Sequence, residues 1–225
     1  MPAKKTRAHL FCAAAAALCL LPVLLFSICF TASRMGRSAG LYARCFHAFA
    51  DTAHLGVTEE RYNGIARELA QYLSGKDADL SLFNAREVTH LNDIRRLFRL
   101  FDRSWMLLIP AAVMGVIAIR TRDRKGFILG LVLTALAVGA MAVYIALDFD
   151  GAFIAMHRLL FTNDLWLLDP RTDLLICLMP EEMFISLAVR LGLYVIPAWA
   201  AAAGCLGWAV CHERIQRFTG DRPGS

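Results

Sequence analysis

Phe127–Leu147 is a run of 21 residues that contains no charged side chain. A helix of about 20 apolar residues is long enough to cross the hydrocarbon core of a bilayer. Apolar residues make up 58% of the whole chain, against about 45–50% in soluble domains. The excess is concentrated in blocks rather than spread along amphipathic faces, so we expect a protein embedded in a membrane.

Four blocks, with their flanks, are long enough to be spans: about residues 9–30, 104–120, 127–147 and 184–211. The first follows Lys4, Lys5 and Arg7, as the apolar region of a cleaved signal peptide also would. Its 22 residues exceed the roughly 7–15 residues typical of such a region, so we favour an uncleaved span. The predicted fold class is an all-α integral membrane protein with four transmembrane helices, two helical extracytoplasmic loops and a single membrane domain over residues 1–225.

Basic residues are distributed asymmetrically around these spans. The short link at residues 120–126 carries four basic side chains, whereas residues 148–182 carry two basic residues against seven acids. Because basic residues are enriched on the cytoplasmic side of a membrane, we expect both termini and the link to be cytoplasmic, and loops 31–103 and 148–183 to be outside. The net charge of +5 therefore indicates topology in a bacterial cell membrane rather than nucleic-acid binding.

The two outer loops have helical patterns of their own. In the first loop, one helix is predicted over about Thr58–Leu73 and another from about Asn84 into the second span, where apolar residues repeat at intervals of three and four. In the second loop, we predict a short helix over Asp150–Phe161. A further helix is predicted to open with Asp169 as its N-cap and Pro170 as its first residue.

His90 is the strongest candidate for acid–base chemistry in the first loop. On the predicted helix, Glu87 and Asp93 each lie three residues away on the same face. A carboxylate there can fix the tautomer of the imidazole and raise its basicity. The alternative is a surface helix with ordinary charge pairs.

His157 lies in an apolar part of the second loop, close to the end of the third span. It is either an interfacial anchor or a second catalytic group. Asp169 is one of several nearby acids able to satisfy it, and Trp166 lies in a stretch suited to acyl chains. Arg86 and Arg190 are candidates for stabilising an oxyanion, Arg190 because an ionisable residue at the edge of a span is a functional candidate.

A metal site is the rival arrangement. Glu87, His90 and His157, with an aspartate, offer three or four ligands of the kind that zinc takes. The chain has no HExxH motif, so the usual zincin arrangement is missing, and we expect neither a metal nor a cofactor. Two of the seven cysteines, Cys45 and Cys177, lie in the outer loops, and their spacing leaves a disulfide open.

The candidate residues form an ordered pattern along the chain. Arg86-Glu87-x-x-His90-Leu91-x-Asp93 precedes the second span, and His157-x-x-x-Phe161-x-Asn163-Asp164-x-Trp166-x-Leu168-Asp169-Pro170 follows the third. With four spans and a long first outer loop, the chain resembles the bacterial integral membrane family that includes the lipoprotein intramolecular transacylases (Lit). The resemblance covers nearly the whole chain, and the second-loop run is its most specific part.

The resemblance implies a reaction on lipoproteins that already carry a diacylglyceryl group on their N-terminal cysteine. The sn-2 acyl chain would move to the α-amine of the same cysteine, which yields a lyso-form lipoprotein. Diacylated bacterial lipoproteins and membrane lipids would then be the partners. In this family two histidines on the external side are the essential pair, and they match His90 and His157 here.

The residues suit this chemistry independently of the resemblance. Aminolysis of an ester needs a neutral amine, and an α-amino group has a pKa of about 7.7–8.0. One histidine can accept its proton and the other can protonate the departing alkoxide. We expect His90 to be the base and His157 its partner, although the roles are open to exchange. Two other classes remain open: a zinc-dependent membrane hydrolase and a non-catalytic accessory membrane protein.

Overall fold

The computed structural model describes residues 2–220, with side chains for residues 5–211. In this part of the chain every regular element is helical and no strand occurs. The α-helices are α1 (Pro2–Met35), α2 (Ala39–Phe49), α3 (Tyr62–Leu73), α4 (Ala85–Phe101), α5 (Leu108–Thr121), α6 (Arg124–Leu147), α7 (Phe149–Leu160), α8 (Leu174–Leu178) and α9 (Glu181–Gly220). The predicted all-α class is confirmed.

Four helical segments among the described residues are long and apolar enough to cross a membrane: Lys5–Met35, Ala85–Thr121, Arg124–Leu147 and Glu181–Cys211. The segment Ala85–Thr121 combines α4 with α5, and all but one of its charged residues lie between Arg86 and Arg103. We therefore take its spanning part to begin at Ser104. α4 lies outside that apolar part.

The predicted helix from Asn84 into the second span begins as expected but is interrupted. Asn84 is the N-cap of α4, and it forms a capping box with Glu87. The helix ends at Phe101, and a turn and a 3₁₀ segment, Ser104–Leu107, precede α5. At this break Asp102 accepts hydrogen bonds from the guanidinium of Arg37 at 2.7 and 2.9 Å, which fixes the end of α4.

The helices of the first long loop, residues 31–103, include one that the sequence did not predict. The predicted helix over Thr58–Leu73 is confirmed as a 3₁₀ turn at Glu59–Arg61 followed by α3. The additional helix is α2, whose N-cap Ser38 accepts a hydrogen bond from the backbone N–H of Leu41. It packs with α3 into one apolar core.

In the second long loop, residues 148–183, one helix prediction is correct and one is wrong. α7 confirms the short helix expected over Asp150–Phe161. Asp169 and Pro170 do not open a helix, because the Asp169 carboxylate accepts the backbone N–H of Arg171 and pairs with its guanidinium. Such local side-chain bonds compete with helix formation. α8 begins four residues later, at Leu174.

The described chain divides into two compact units. The first takes in the described parts of residues 1–28, 104–147 and 193–225, and the second takes in residues 29–103 and 148–192. In the first unit, α1, α6 and α9 supply a core of small and apolar side chains: Cys12, Ala16, Leu20, Phe127, Trp199, Ala203, Leu206 and Val210. Trp199 also donates its indole N–H to the carbonyl oxygen of Leu20 at 3.1 Å.

The second unit has a larger core, built from α2, α3, α4, α8 and the start of α9. Its largest fully buried apolar side chains are Phe46, Leu69, Leu91, Leu178 and Met183. Cys45 and Cys177 are buried in this unit as free thiols, and the Cys177 thiol donates to the carbonyl oxygen of Pro170 at 3.1 Å. His90 and His157 both belong to this unit, so the candidate chemistry lies within one body.

Candidate active site

α4 carries His90 on its buried face. The first turn of the helix is fixed because the Asn84 side chain accepts the backbone N–H groups of Arg86 and Glu87, while the Glu87 carboxylate accepts the N–H of Asn84 at 2.8 Å. His90 follows one turn later and is 5% exposed, next to the fully buried Leu91. The cap therefore sets the start of the helix that turns His90 inward.

α7 carries His157, which is 8% exposed. Its Nδ1 lies 2.8 Å from the carbonyl oxygen of Phe153, one turn earlier in the helix. A carbonyl oxygen can only accept a hydrogen bond, so Nδ1 must carry the proton. The neutral ring then keeps its lone pair on Nε2, and Nε2 is the atom able to accept a proton.

The structure brings the two imidazoles together. Their ring centroids are 6.4 Å apart with the planes inclined by 35°. Phe161 lies against both rings, 5.1 Å from His90 and 5.7 Å from His157. Trp166 stacks on His157 at 4.9 Å, and Phe153 contacts the same ring at 4.1 Å. The pair therefore lies among aromatic rings that limit its contact with water.

Burial keeps both imidazoles neutral near pH 7. Desolvation is the main cause that lowers the pKa of His90 to about 4; a charge on His157 lowers it as well, and the Asp93 carboxylate opposes the shift. Desolvation also lowers the pKa of His157, against the hydrogen bond with Phe153. The neutral form is the one that accepts a proton in general base catalysis.

One buried nitrogen of the pair has no hydrogen-bond partner among the described residues. Nδ1 of His90 is buried and makes no hydrogen bond in the described part of the chain. Buried polar atoms nearly always have a partner, and an exception calls for a functional reason. With Nε2 of His157, this atom gives the site two polar nitrogens that are free for a substrate.

Glu87 was expected to orient His90, and its carboxylate is used elsewhere. It accepts the backbone N–H of Leu175 at the start of α8, as well as that of Asn84 in its own helix. Glu87 is 1% exposed, and burial raises its pKa while these N–H groups oppose the rise. The residue thus joins α4 to α8.

Asp93 acts on His90 through its charge, and its own position is set by the second loop. Asn163 donates its side-chain N–H to Asp93 Oδ2 at 2.9 Å and accepts the backbone N–H of Leu165 at 3.1 Å. Arg96 lies 3.6 Å from the other Asp93 oxygen. Asn163 therefore connects α4 with the loop that follows α7.

Arg86 makes a second connection to the same loop. Its Nη2 donates to the carbonyl oxygens of Asp164 and Leu167 at 2.9 and 2.7 Å. Trp166 lies between these two residues in the chain, so Arg86 holds the segment that stacks on His157. These contacts favour a role in positioning the loop over the oxyanion role expected from the sequence.

Asp169 and Arg190 lie apart from the histidine pair. Asp169 pairs with Arg171 at 2.8 Å, and hydrogen bonds from that arginine lower the pKa of Asp169 to about 2. Arg190 is exposed on α9, and its charge acts on Cys45. Among the described contacts, neither residue touches an imidazole.

A further connection between α4 and the second loop was not indicated by the sequence. The Asn84 side chain donates to Asp173 Oδ1 at 2.8 Å, and Asp173 Oδ2 accepts the backbone N–H of Asp169 at 2.8 Å. Asn84 was recognisable only as a helix start. Its partner lies in a different loop, and spacing along one sequence does not reveal such a pair.

The ligands required by the zinc alternative are not assembled. Within residues 5–211, no group of three His, Cys, Asp or Glu side chains is arranged to hold a metal ion. Glu87, which that alternative needs, has its oxygens on backbone N–H groups.

The model of the family described as lipoprotein intramolecular transacylase Lit matches residues 14–184, which is most of the chain. The chain belongs to the Lit family. Members of the Lit family are described as transacylases of lipoproteins, a kind of acyltransferase, so the predicted family is confirmed.

Solved Lit structures have the same fold. Three in meso structures of the membrane integral Lit from Bacillus cereus match this chain. A variant with one histidine changed to arginine is 20% identical, with 94% of this chain and 96% of that chain covered and a TM-score of 0.65. A second structure is 19% identical, with 96% of this chain and 100% of that chain covered and a TM-score of 0.62. A variant with the same histidine changed to alanine is 20% identical, with 95% of this chain and 97% of that chain covered and a TM-score of 0.62.

At this level of identity the likeness shows the fold alone. Together with the four apolar helices, it makes this member of the Lit family a multi-pass membrane protein. No curated protein sequence matches the chain significantly.

Proposed function

We propose that this chain catalyses intramolecular O-to-N acyl transfer on lipoproteins. The sn-2 acyl chain of the diacylglyceryl-cysteine moves to the α-amine of the same cysteine and leaves a lyso-form lipoprotein. Membership of the Lit family supports the general reaction. The observation that carries the proposal is the pair of buried, neutral imidazoles with ring centroids 6.4 Å apart.

The step forms one C–N bond and breaks one C–O bond. The neutral amine attacks the ester carbonyl, and Nε2 of His157 accepts the proton that the amine loses, since Nδ1 is bonded to the Phe153 carbonyl. The proton then passes to the sn-2 oxygen of glycerol as the C–O bond breaks. An amide replaces the ester, and the proton lost by the amine becomes the proton of the new glycerol hydroxyl, so no external reactant is consumed.

His90 acts as a neutral partner in this proposal. Its pKa of about 4 is too low for the ring to be a cation at pH 7. It would therefore stabilise the developing oxyanion or alkoxide as a hydrogen-bond donor. This is the reverse of the order expected from the sequence, because the sequence does not show the Phe153 contact or the extent of burial.

The aromatic side chains favour acyl transfer over hydrolysis. Phe161 lies against both imidazoles and Trp166 covers one of them. Rings in these positions keep water from competing with the amine for the ester carbonyl. They also offer an apolar surface to an acyl chain.

We propose further that both termini are cytoplasmic and that the site faces the outer side of the membrane. The support is the excess of basic residues in the 120–126 link and of acids in residues 148–182. Alkaline phosphatase, which is active only outside the cytoplasm, should be active when fused after Asp150 and inactive when fused after Arg122. The opposite result would contradict the topology.

The reaction is tested by mass spectrometry of lipoprotein N-termini in a host that lacks its own N-acylation. Expression of the wild-type chain should produce the lyso form, and His90→Ala and His157→Ala should each abolish it at unchanged membrane abundance. His47→Ala is the matched control, because His47 is exposed on α2. If wild-type protein accumulates and only the free-amine diacyl form appears, the proposal is wrong.

A further inference from the structure

One face of α7 has no part in the proposed reaction. On a helical wheel, Ala152, Ala155, Met156, Leu159 and Leu160 share an arc without a charged side chain, which we call the α7 apolar arc. Leu159 is 84% exposed in this structure, and Met156 and Leu160 are exposed as well. A contiguous exposed apolar surface marks contact with a membrane or with another protein.

The chain connection places the start of α7 at a membrane boundary. α6 is one of the helices able to cross a bilayer, and α7 begins two residues after α6 ends at Leu147. An extended chain covers at most about 3.6 Å per residue, so Phe149, the first residue of α7, stays within about 7 Å of Leu147. This connection favours the bilayer as the partner that contacts the α7 apolar arc.

The arc also extends along the helix to its last turn. If α7 projected into water, Leu159 and Leu160 would stand roughly 15 Å beyond its first turn with their side chains in solvent. If the helix lies along the membrane surface, lipid covers the apolar arc in every turn of the helix. Asp150 and Arg158 are outside the arc, where they reach water or lipid headgroups, as in other interfacial helices.

We propose that α7 is an interfacial helix whose apolar arc contacts the acyl chains of the bulk bilayer. His157 lies on a different face of the same short helix. The helix would thus hold this imidazole at the depth of the glycerol esters, where a membrane-anchored diacylglyceryl group presents its ester bonds. The lipid contact does not depend on the proposed function. The inference that the contact sets the depth of His157 relative to the substrate esters rests on the proposed function.

Fluorescence quenching in full-length protein reconstituted into lipid nanodiscs tests the contact. A small fluorescent amino acid is placed at Leu159 or at Met156, in separate variants, and at Arg171 as a control that is exposed outside the arc. Quenching by phospholipids with a nitroxide high on the acyl chain should be at least about threefold stronger at Leu159 and Met156 than at Arg171. Aqueous iodide should give the reverse order.

Two outcomes would overturn the proposal. In one, iodide quenches both arc positions and the nitroxide lipid quenches neither. In the other, quenching occurs only when the nitroxide is carried by an added diacylated lipopeptide, which would make the arc a substrate surface and not a lipid contact. Lipid quenching without any acyl transfer would support the contact and contradict the proposed function.

Discussion

At the scale of single residues, the site depends on which nitrogen of each imidazole holds its proton. The Phe153 carbonyl assigns the proton of His157 to Nδ1, and no group in the described chain assigns one to His90. The sequence indicated His90 and His157 through their place in a family pattern. It did not indicate their hydrogen bonds, because the partners of Glu87 and Asp93 are Leu175 and Asn163, far away along the chain.

The low pKa of His90 predicts how stability depends on pH. An unfolded histidine has a pKa near 6.5, whereas folding lowers that of His90 to about 4. The unfolded state therefore binds more protons in this interval. The contribution of neutral His90 to the free energy of unfolding, which is fully present above about pH 6.5, is lost as the pH falls towards 4. His90→Asn should remove part of this loss, so the melting temperature should fall less between pH 7 and pH 5 than in the wild type.

The comparison needs a histidine that is not buried. His47→Asn serves as that control, because His47 is exposed, and its melting temperature should follow the wild type at every pH. An equal fall for His90→Asn and the wild type would mean that His90 is solvated in the folded protein.

At the scale of elements, four polar connections hold the second loop against α4. They are the bonds of Arg86 to two carbonyl oxygens, of Asn163 to Asp93, of Asn84 to Asp173, and of Glu87 to the backbone N–H of Leu175. Periodicity predicted α3, α7 and the start of α4, since these depend on local patterns. It did not predict α2. It placed the start of α8 too early, because a turn formed by Asp169 and Arg171 competes with the helix start.

Arg86 should be important for turnover and not for folding. Arg86→Gln removes the donors that hold Asp164 and Leu167, so the Trp166 segment loosens and kcat should fall about 10–100-fold, as expected for misplaced catalytic groups. The lysine of Arg86→Lys can donate to one of the two carbonyl oxygens at a time, so the loss of kcat should be smaller than for Arg86→Gln. Steady-state kinetics of purified protein measure both.

The control for Arg86 is a solvent-exposed arginine in the second loop. Arg171→Gln should retain nearly the wild-type kcat, because its side chain is exposed and its one ion pair among the described residues is with Asp169. A wild-type kcat for Arg86→Gln would show that the loop needs no such contact.

Two glycines of α6 explain how closely α1 and α6 pack. A Cβ added at Gly126 or Gly130 would lie within 3.0 Å of the backbone of His9 or Ala13, whereas a Cβ at Gly139 meets nothing within 4 Å. This spacing of small residues lets membrane helices approach. Gly130→Ala should lower the melting temperature in detergent and Gly139→Ala should not, and equal values would contradict the close contact.

At the scale of the whole molecule, the chain builds its second unit from two segments that are separated by α5 and α6. Hydrophobic block length predicted the four spans, because a bilayer imposes that length on any helix that crosses it. It gave no indication that residues 29–103 and 148–192 form one body. The family pattern implied that His90 and His157 lie close together. They do so because both segments belong to the second unit.

The central claim is that the acyl chain moves within one molecule of substrate. Purified protein is given a synthetic diacylglyceryl-cysteine peptide with an isotope label in the sn-2 acyl chain only, mixed with an unlabelled peptide of different sequence. Mass spectrometry should find the label as an N-acyl group on the peptide that carried it, with a free sn-2 hydroxyl. Label released as free fatty acid, or transferred to the second peptide, would contradict the account.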